Sequence, residues 1–205
     1  DLAHTATVSD ISIPIPLGIG YVAAYLDAYF GDGVEIKLFK HPERLMTAVL
    51  HDRPAVIGMA HYGWSNRLNQ SVGRRLRALL PNVLMVGGGP DIDQEDALAT
   101  SHLEEHDYLD YYIQEGGEEP FAELVDWWLT TERDVKDLPR NTIWLDNGRL
   151  QKTGLRPLAK SIENVPSPYL SGFLDEFIDA GMMPLFETNR GCPFQCTFCA
   201  WGMAS

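Results

Sequence analysis

Ala55-Val56-Ile57-Gly58-Met59-Ala60 runs directly into His61-Tyr62-Gly63-Trp64-Ser65. The first six residues are apolar or small throughout, the pattern of a strand covered on both faces. The next five turn polar and aromatic, and Ser65 stands where an N-cap would open a helix running to about residue 80. Strand, loop and helix in that order make one unit of a parallel α/β sheet. The following sequence repeats the unit. Residues 83–86 read as a second buried strand closing in Gly87-Gly88-Gly89-Pro90, with a polar helix expected over roughly 92–105. Residues 108–113 read as a third strand, followed by Glu115-Gly116-Gly117-Glu118 and a helix from about 119 to 129.

Upstream, Ile19, Val22, Ala23 and Leu26 recur at helical spacing, Pro16 suits a first helical turn, and Gly31-Asp32-Gly33 ends the run. Residues 34–39 alternate as a short strand. Residues 42–51 place Leu45, Met46, Val49 and Leu50 on one helical face. Residues 1–13 alternate weakly, and Pro14 and Pro16 argue against a central strand there. Arg74, Arg75 and Arg77 are expected on a solvated helix face. The expected fold over residues 1–130 is α/β, a Rossmann-like doubly wound parallel sheet that binds ligands at the carboxyl ends of its strands.

Past Thr130 the texture changes. Residues 131–182 are expected to form a linker that holds a β-hairpin at Asn147-Gly148, an irregular proline-rich stretch and a helix near 170–180. Residues 183–205 are expected to open a second unit with a strand at 183–188. The chain begins at Asp1, not Met, and stops six residues after Cys199, so it is expected to be part of a longer protein.

A net charge of −13 argues against nucleic acid, whose phosphates need a basic surface, and against an anionic membrane. No run approaches the ~18 apolar residues of a membrane span. All three cysteines fall within Cys192-Pro193-Phe194-Gln195-Cys196-Thr197-Phe198-Cys199. An odd number so clustered is no disulfide framework, and a reducing, cytoplasmic setting is expected. Three thiolates on one loop can wrap three corners of a [4Fe–4S] cube and leave one iron open, as a catalytic cluster does. Structural zinc needs a fourth ligand, which is absent nearby, and three unrelated cysteines remain the plainest alternative.

Residues Glu187-Thr188-Asn189-Arg190-Gly191-Cys192 through Cys199 resemble the signature of the radical SAM superfamily, with Phe198 in the aromatic place. The resemblance implies Cys192, Cys196 and Cys199 as ligands of a [4Fe–4S] cluster, Phe198 beside S-adenosylmethionine, and a β/α barrel beginning near residue 183. In that superfamily the open iron binds S-adenosylmethionine, and reduction cleaves its sulfonium to a 5′-deoxyadenosyl radical. The upstream half resembles the cobalamin-binding domain of one branch of that superfamily. The matching pieces are Pro16-Leu17-Gly18-Ile19-Gly20-Tyr21, Ile57-Gly58, Gly87-Gly88-Gly89-Pro90 and Glu115-Gly116-Gly117-Glu118. It implies cobalamin contacts from Tyr62, Ser65, Asn66, Gly87, Gly88, Gly89, Glu115 and Gly116.

The resemblance further implies the front part of a methyltransferase acting on an unactivated centre of a small-molecule or peptide substrate, supplied by an external electron donor. A different cobalamin-assisted radical rearrangement is the alternative, and the chain alone is expected to be inactive or to serve as a cobalamin-binding module. This sequence departs from the usual pattern in two places. The Asp-x-His-x-x-Gly motif of many other cobalamin proteins is absent, and Glu-Gly-Gly-Glu replaces Gly-Glu-Gly-Glu. The first strand of the usual domain is also expected to be missing ahead of Asp1.

Several residues keep a plainer reading. Gly18-x-Gly20-x-x-Ala23 matches a dinucleotide fingerprint. However, Pro14 and Pro16 precede it, and no acidic residue closes the second strand at Phe39-Lys40-His41, so close helix–sheet packing is the preferred role. Ser65 and Asn66 can equally be helix caps; for Glu115 a ligand contact is preferred to a cap, and for Gly87–Gly89 a ligand contact is preferred to a plain strand-end turn. His61 lies on the loop but is read as a core or surface imidazole sooner than a cobalt ligand, and Trp64, Trp127 and Trp128 as packing residues.

Overall fold

Three parallel strands carry the fold. In a computed structural model that describes residues 2–3, 13–130, 132–157, 162–188 and 190, they are β1 (Val56–Ala60), β2 (Leu84–Gly88) and β3 (Tyr111–Ile113). Ala60, Gly88 and Ile113 stand level in the ladder, so the three carboxyl ends form one edge. The sheet runs on through an antiparallel hairpin, β4 (Thr142–Asp146) and β5 (Arg149–Lys152), in the order β1-β2-β3-β4-β5. It is therefore mixed and not all-parallel. β4 bonds to β3 through Tyr112↔Ile143 and Ile113↔Thr142. Asn147 and Gly148 both hold positive φ (49° and 75°), which is what a two-residue turn of the hairpin hand requires.

Helices cover both faces. On one, α1 (Leu17–Phe30) packs against α5 (Glu118–Leu129): Leu26 meets Ala122 and Val125, while Leu124 and Trp127 reach Leu84, Val86 and Ile113. On the other, α2 (Pro42–Asp52) and α3 (Asn66–Leu79) bury Leu45, Val49, Val72 and Leu76 against Ile57, Met59 and Met85. There α4 (Asp96–Glu105) also sets Ala99 and Leu103 against Tyr112 and Ile143. Leu84 and Val86 face one layer and Met85 the other, so β2 must be apolar at every position.

Other expectations are corrected too. Residues 34–39 alternate in burial but form no strand among the described residues: an extended segment becomes a strand only through a ladder partner. The strand expected at 183–188 is reduced to one parallel bridge, Pro14↔Met183, with Met183 N–H on Ile13 O (2.9 Å) and Ile15 N–H on Met183 O (3.0 Å). Neither Pro14 nor Pro184 has an N–H to extend that ladder. The helix expected over 170–180 is α6, Asp175–Asp179 only, because Gly172 at φ 79° breaks the run. Gly20 packs not on the sheet but on this segment, with the space of a Cβ taken by Leu174 and Pro168.

Arg77 is not solvated. It donates to Tyr108 O (2.8 Å), Val83 O (2.9 Å), Pro81 O (3.1 Å) and Asp110 Oδ2 (2.7 Å). Asp110 Oδ2 also accepts from Met85 N–H (2.8 Å), so the fork ties together the amino ends of β2 and β3. Arg77→Ala should cost about 2–3 kcal/mol, the worth of bonds to a charged donor, read as a lower urea midpoint. Arg77→Lys should recover less than half of that, because an ammonium cannot serve the same fork. An unchanged midpoint in the alanine variant would count against the tie.

Candidate functional site at the carboxyl edge of the sheet

The loops after β1 and β2 are bonded to one another, backbone first, and a side chain of β3 joins them. His61 N–H donates to Gly88 O (2.6 Å) and Asp91 N–H to His61 O (3.3 Å). Tyr112, at the end of β3, donates its hydroxyl to Gly89 O (2.8 Å). Gly89 is required where the first two loops touch. Its φ is +119°, and a Cβ there would stand 2.5 Å from His61 O.

Side chains complete the edge. Ser65 occupies the N-cap position of α3 but does not cap it. Its hydroxyl donates to Tyr62 O (3.1 Å), accepts from Tyr62 N–H (3.3 Å), and is met by Asn69 Nδ2 (3.3 Å). Asn66 Nδ2 donates to Asp91 Oδ2 (3.0 Å) while its Oδ1 accepts from Gln70 (2.9 Å), so it bridges the β1 and β2 loops. Tyr62 lies flat on Trp64, with rings 4.6 Å apart and 7° from parallel, and Trp64 is 76% exposed. The Tyr62 hydroxyl would be 3.1 Å from a Cβ at Gly18, so α1 also closes on this loop.

The glycines divide by role. Gly87 is buried under Tyr112 and Leu109, whose atoms would lie 2.6 and 2.8 Å from its Cβ, so packing alone demands it. At Gly88 and Gly116 nothing lies nearer than 3.7 Å to a Cβ, which leaves the backbone open to an approaching group. Glu115 sits at φ 60°, half-buried, with burial pushing its carboxyl above the usual range. His61 is fully buried, its ring turned to α4 and away from the edge, which agrees with a core imidazole. Trp127 is buried, as a packing residue should be.

The third loop adds a contact that the sequence did not announce. Glu118, 8% exposed, opens α5 and receives both terminal nitrogens of Arg190: Nη1 to Oε2 at 3.0 Å, and Nη2 to Oε1. Arg190 also donates from Nε to Glu187 Oε1 (3.2 Å) and stacks over the Tyr21 ring at 5.6 Å. Glu118 closes the Glu-Gly-Gly-Glu turn, and Arg190 stands two positions before Cys192. Cys192, Cys196, Cys199 and Phe198 themselves lie outside the described residues. Asp91, which follows the glycine run, is a second polar group of the edge that sequence reasoning passed over.

This is an α/β domain whose strand ends present open backbone, an exposed aromatic face and paired amide and carboxylate groups to a ligand. That surface fits a corrin, a flat ring rimmed with amides: glycine backbone and Asn66–Asp91 can meet the amides, and Trp64 offers a flat apolar face. The B12 binding domain family matches residues 6–125, and the chain belongs to that family. It is 32% identical over 158 residues to the cobalamin-dependent radical SAM methyltransferase TokK of Streptomyces tokunonensis, covering 74% of this chain and 23% of that protein. It is 31% identical, over the same length and shares, to the 2-(S-pantetheinyl)-carbapenam-3-carboxylate methyltransferase of Streptantibioticus cattleyicolor. An uncharacterized methyltransferase of Pyrococcus horikoshii, PH0819, is 26% identical over 90% of this chain and 40% of its own length.

Among solved structures, the apo form of the cobalamin-dependent S-adenosylmethionine radical enzyme OxsB matches with a TM-score of 0.62 at 16% identity. It covers 89% of this chain and 25% of its own, a likeness of fold. The chain thus spans about a quarter to two-fifths of these curated relatives. No helix among the described residues is long and apolar enough to cross a membrane.

Proposed function

We propose that this chain is the front part of a cytoplasmic cobalamin-dependent radical SAM methyltransferase. Cobalamin is held at the carboxyl edge, and Cys192, Cys196 and Cys199 bear a [4Fe–4S] cluster with Phe198 beside S-adenosylmethionine. The observation that carries the reading is the Glu118–Arg190 pair: the residue two positions before Cys192 is fastened to the carboxyl edge of a domain that belongs to the B12-binding family. Cobalamin and the cluster, when bound, supply methyl and radical chemistry, and the protein orients and shields them. The residues here have simpler tasks. Trp64 and Tyr62 would offer an aromatic surface to the corrin, Asn66, Asp91 and Glu115 would meet its amides, and Gly88, Gly89 and Gly116 would let it approach the backbone. With His61 buried against α4, that residue supplies no imidazole to cobalt. The substrate is a small molecule or peptide with an unactivated carbon or phosphorus, and an external donor supplies electrons.

Anaerobic reconstitution of the full-length protein tests this. The parent should retain one corrin and bind about four irons, as its cluster type requires. A variant with Cys192, Cys196 and Cys199 all changed to Ala should lose the iron and S-adenosylmethionine cleavage yet keep the corrin. Failure to retain corrin overturns the cobalamin site. Corrin retention with no iron uptake by the parent leaves a binding module and overturns the radical enzyme.

A further inference from the structure

The carboxyl edge leaves one chemically loaded cluster unused. His102 lies in the last turn of α4 and His106 is its C-cap residue, four positions on, and His61 reaches them from just past the end of β1. One ring nitrogen of each lies within 4.8 Å of the other two. The His61 and His106 rings are 4.8 Å apart, centre to centre, and His102 and His106 are 4.2 Å apart. His61 and His106 are completely buried, and His102 is half-buried.

Each ring keeps a buried nitrogen with no hydrogen-bond partner: His61 Nδ1, His102 Nε2 and His106 Nε2. Three such atoms in one cluster of rings are unusual, since nearly all buried polar groups are satisfied. The other nitrogens of the two fully buried rings are engaged. His106 Nδ1–H donates to His102 O (2.7 Å), which fixes that tautomer and leaves Nε2 its lone pair. Tyr108 OH stands 3.4 Å from His61 Nε2. This is how ligating imidazoles are held from behind. Burial, then the neighbouring imidazoles, hold His61 and His102 below the usual histidine range.

We propose that His61, His102 and His106 form a binding site for a divalent transition-metal ion of the zinc class, with water as the fourth ligand. Three neutral imidazoles without a carboxylate or thiolate suit zinc among the common biological ions. Tetrahedral bonds of about 2.0–2.1 Å set the nitrogens roughly 3.3 Å apart. Small ring rotations close that gap from within 4.8 Å. Asp91 and Glu105 act on His102 and lend negative charge nearby. The ion pins α4 to the end of β1 directly behind the ligand edge, and the site does not depend on the corrin reading.

The test uses the full chain, prepared without cobalamin and with Cys192, Cys196 and Cys199 all changed to Ser so that no thiolate competes. Titrated with Co2+ as a spectroscopic stand-in, it should take one ion with the visible bands of four-coordinate nitrogen ligation. Zinc should displace the cobalt and raise the urea midpoint. His106→Gln should weaken binding by more than about 100-fold, beyond the loss seen for outer-shell partners. If that variant does not fold, the half-exposed His102→Gln carries the same expectation. The exposed His51→Ala should bind as the parent does. No uptake by the cysteine-free chain, or undiminished uptake in a folded His102→Gln variant, overturns the site.

Discussion

Gly89→Ala is expected to lower stability by about 2–6 kcal/mol. Two independent effects add. An alanine at φ +119° adopts a backbone region open essentially to glycine alone, at roughly 1–3 kcal/mol. Its Cβ would also stand 2.5 Å from His61 O and 3.1 Å from His61 N, and these are backbone atoms that cannot rotate aside. Moving them disturbs His61 N–H on Gly88 O, Asp91 N–H on His61 O, and the Tyr112 hydroxyl on Gly89 O. Overpacking of this kind costs about 1–3 kcal/mol more. For a chain of this size the sum corresponds to roughly 4–24 °C in Tm. Gly31→Ala is the control. Its φ is +54° and ψ −134°, and nothing lies within 4 Å of its Cβ, so only the backbone term of roughly 1–3 kcal/mol applies, without the overpacking. Equal urea midpoints for the two variants would mean that the close approach of the first two loops is not under the constraint argued here.

What the sequence made legible follows from how local each determinant is. VIGMA and LMVGG are apolar through and through, and that alone marks strands buried on both faces. Asn147-Gly148 specifies its own turn, so the hairpin could be read, but nothing inside it says that Ile143 will pair with Tyr112 and extend the sheet. Residues 34–39 show the converse. Their alternation is real, with Ile36 and Leu38 turned to different apolar clusters, yet a strand is a property of two segments and no ladder partner stands among the described residues. At 183–188 the apolar run outweighed Pro184 in the reading, although a missing N–H decides pairing.

The site divides the same way. The loops after β1, β2 and β3 were identifiable because parallel topology sends all three to one edge. The uses of their residues were not. Ser65 caps nothing because its hydroxyl is turned back on Tyr62, and Gly87 answers to Tyr112 before any ligand. His102 and His106 are visibly four apart in the sequence. Only the fold brings His61 to them from 41 positions upstream of His102.

Arg190→Gln is expected to cost about 3–5 kcal/mol, the usual penalty for breaking a largely buried ion pair. The two side chains are only 18% and 11% exposed. The loss is worsened because Glu118 and Glu187, both now bonded to the same guanidinium, would face each other without it. Glu118→Gln should cost less, about 2–3 kcal/mol, since Glu187 still accompanies the arginine and the amide keeps one acceptor. The double variant should be less destabilised than the sum of the singles by about 1–3 kcal/mol, the range for residues in direct contact. Urea unfolding of the four proteins measures that coupling, and additivity would show the pair to be energetically idle. The functional consequence separates the two halves of the proposed enzyme. Arg190 is next to Gly191 and two residues from Cys192, so its loss removes the described tie to the sheet edge that lies nearest the cysteines in sequence. Iron bound per chain should then fall while corrin retention holds, because none of the edge groups proposed to meet cobalamin has been changed. Equal loss of corrin and iron would instead mean that the clasp maintains the fold as a whole and does not specifically place one cofactor beside the other.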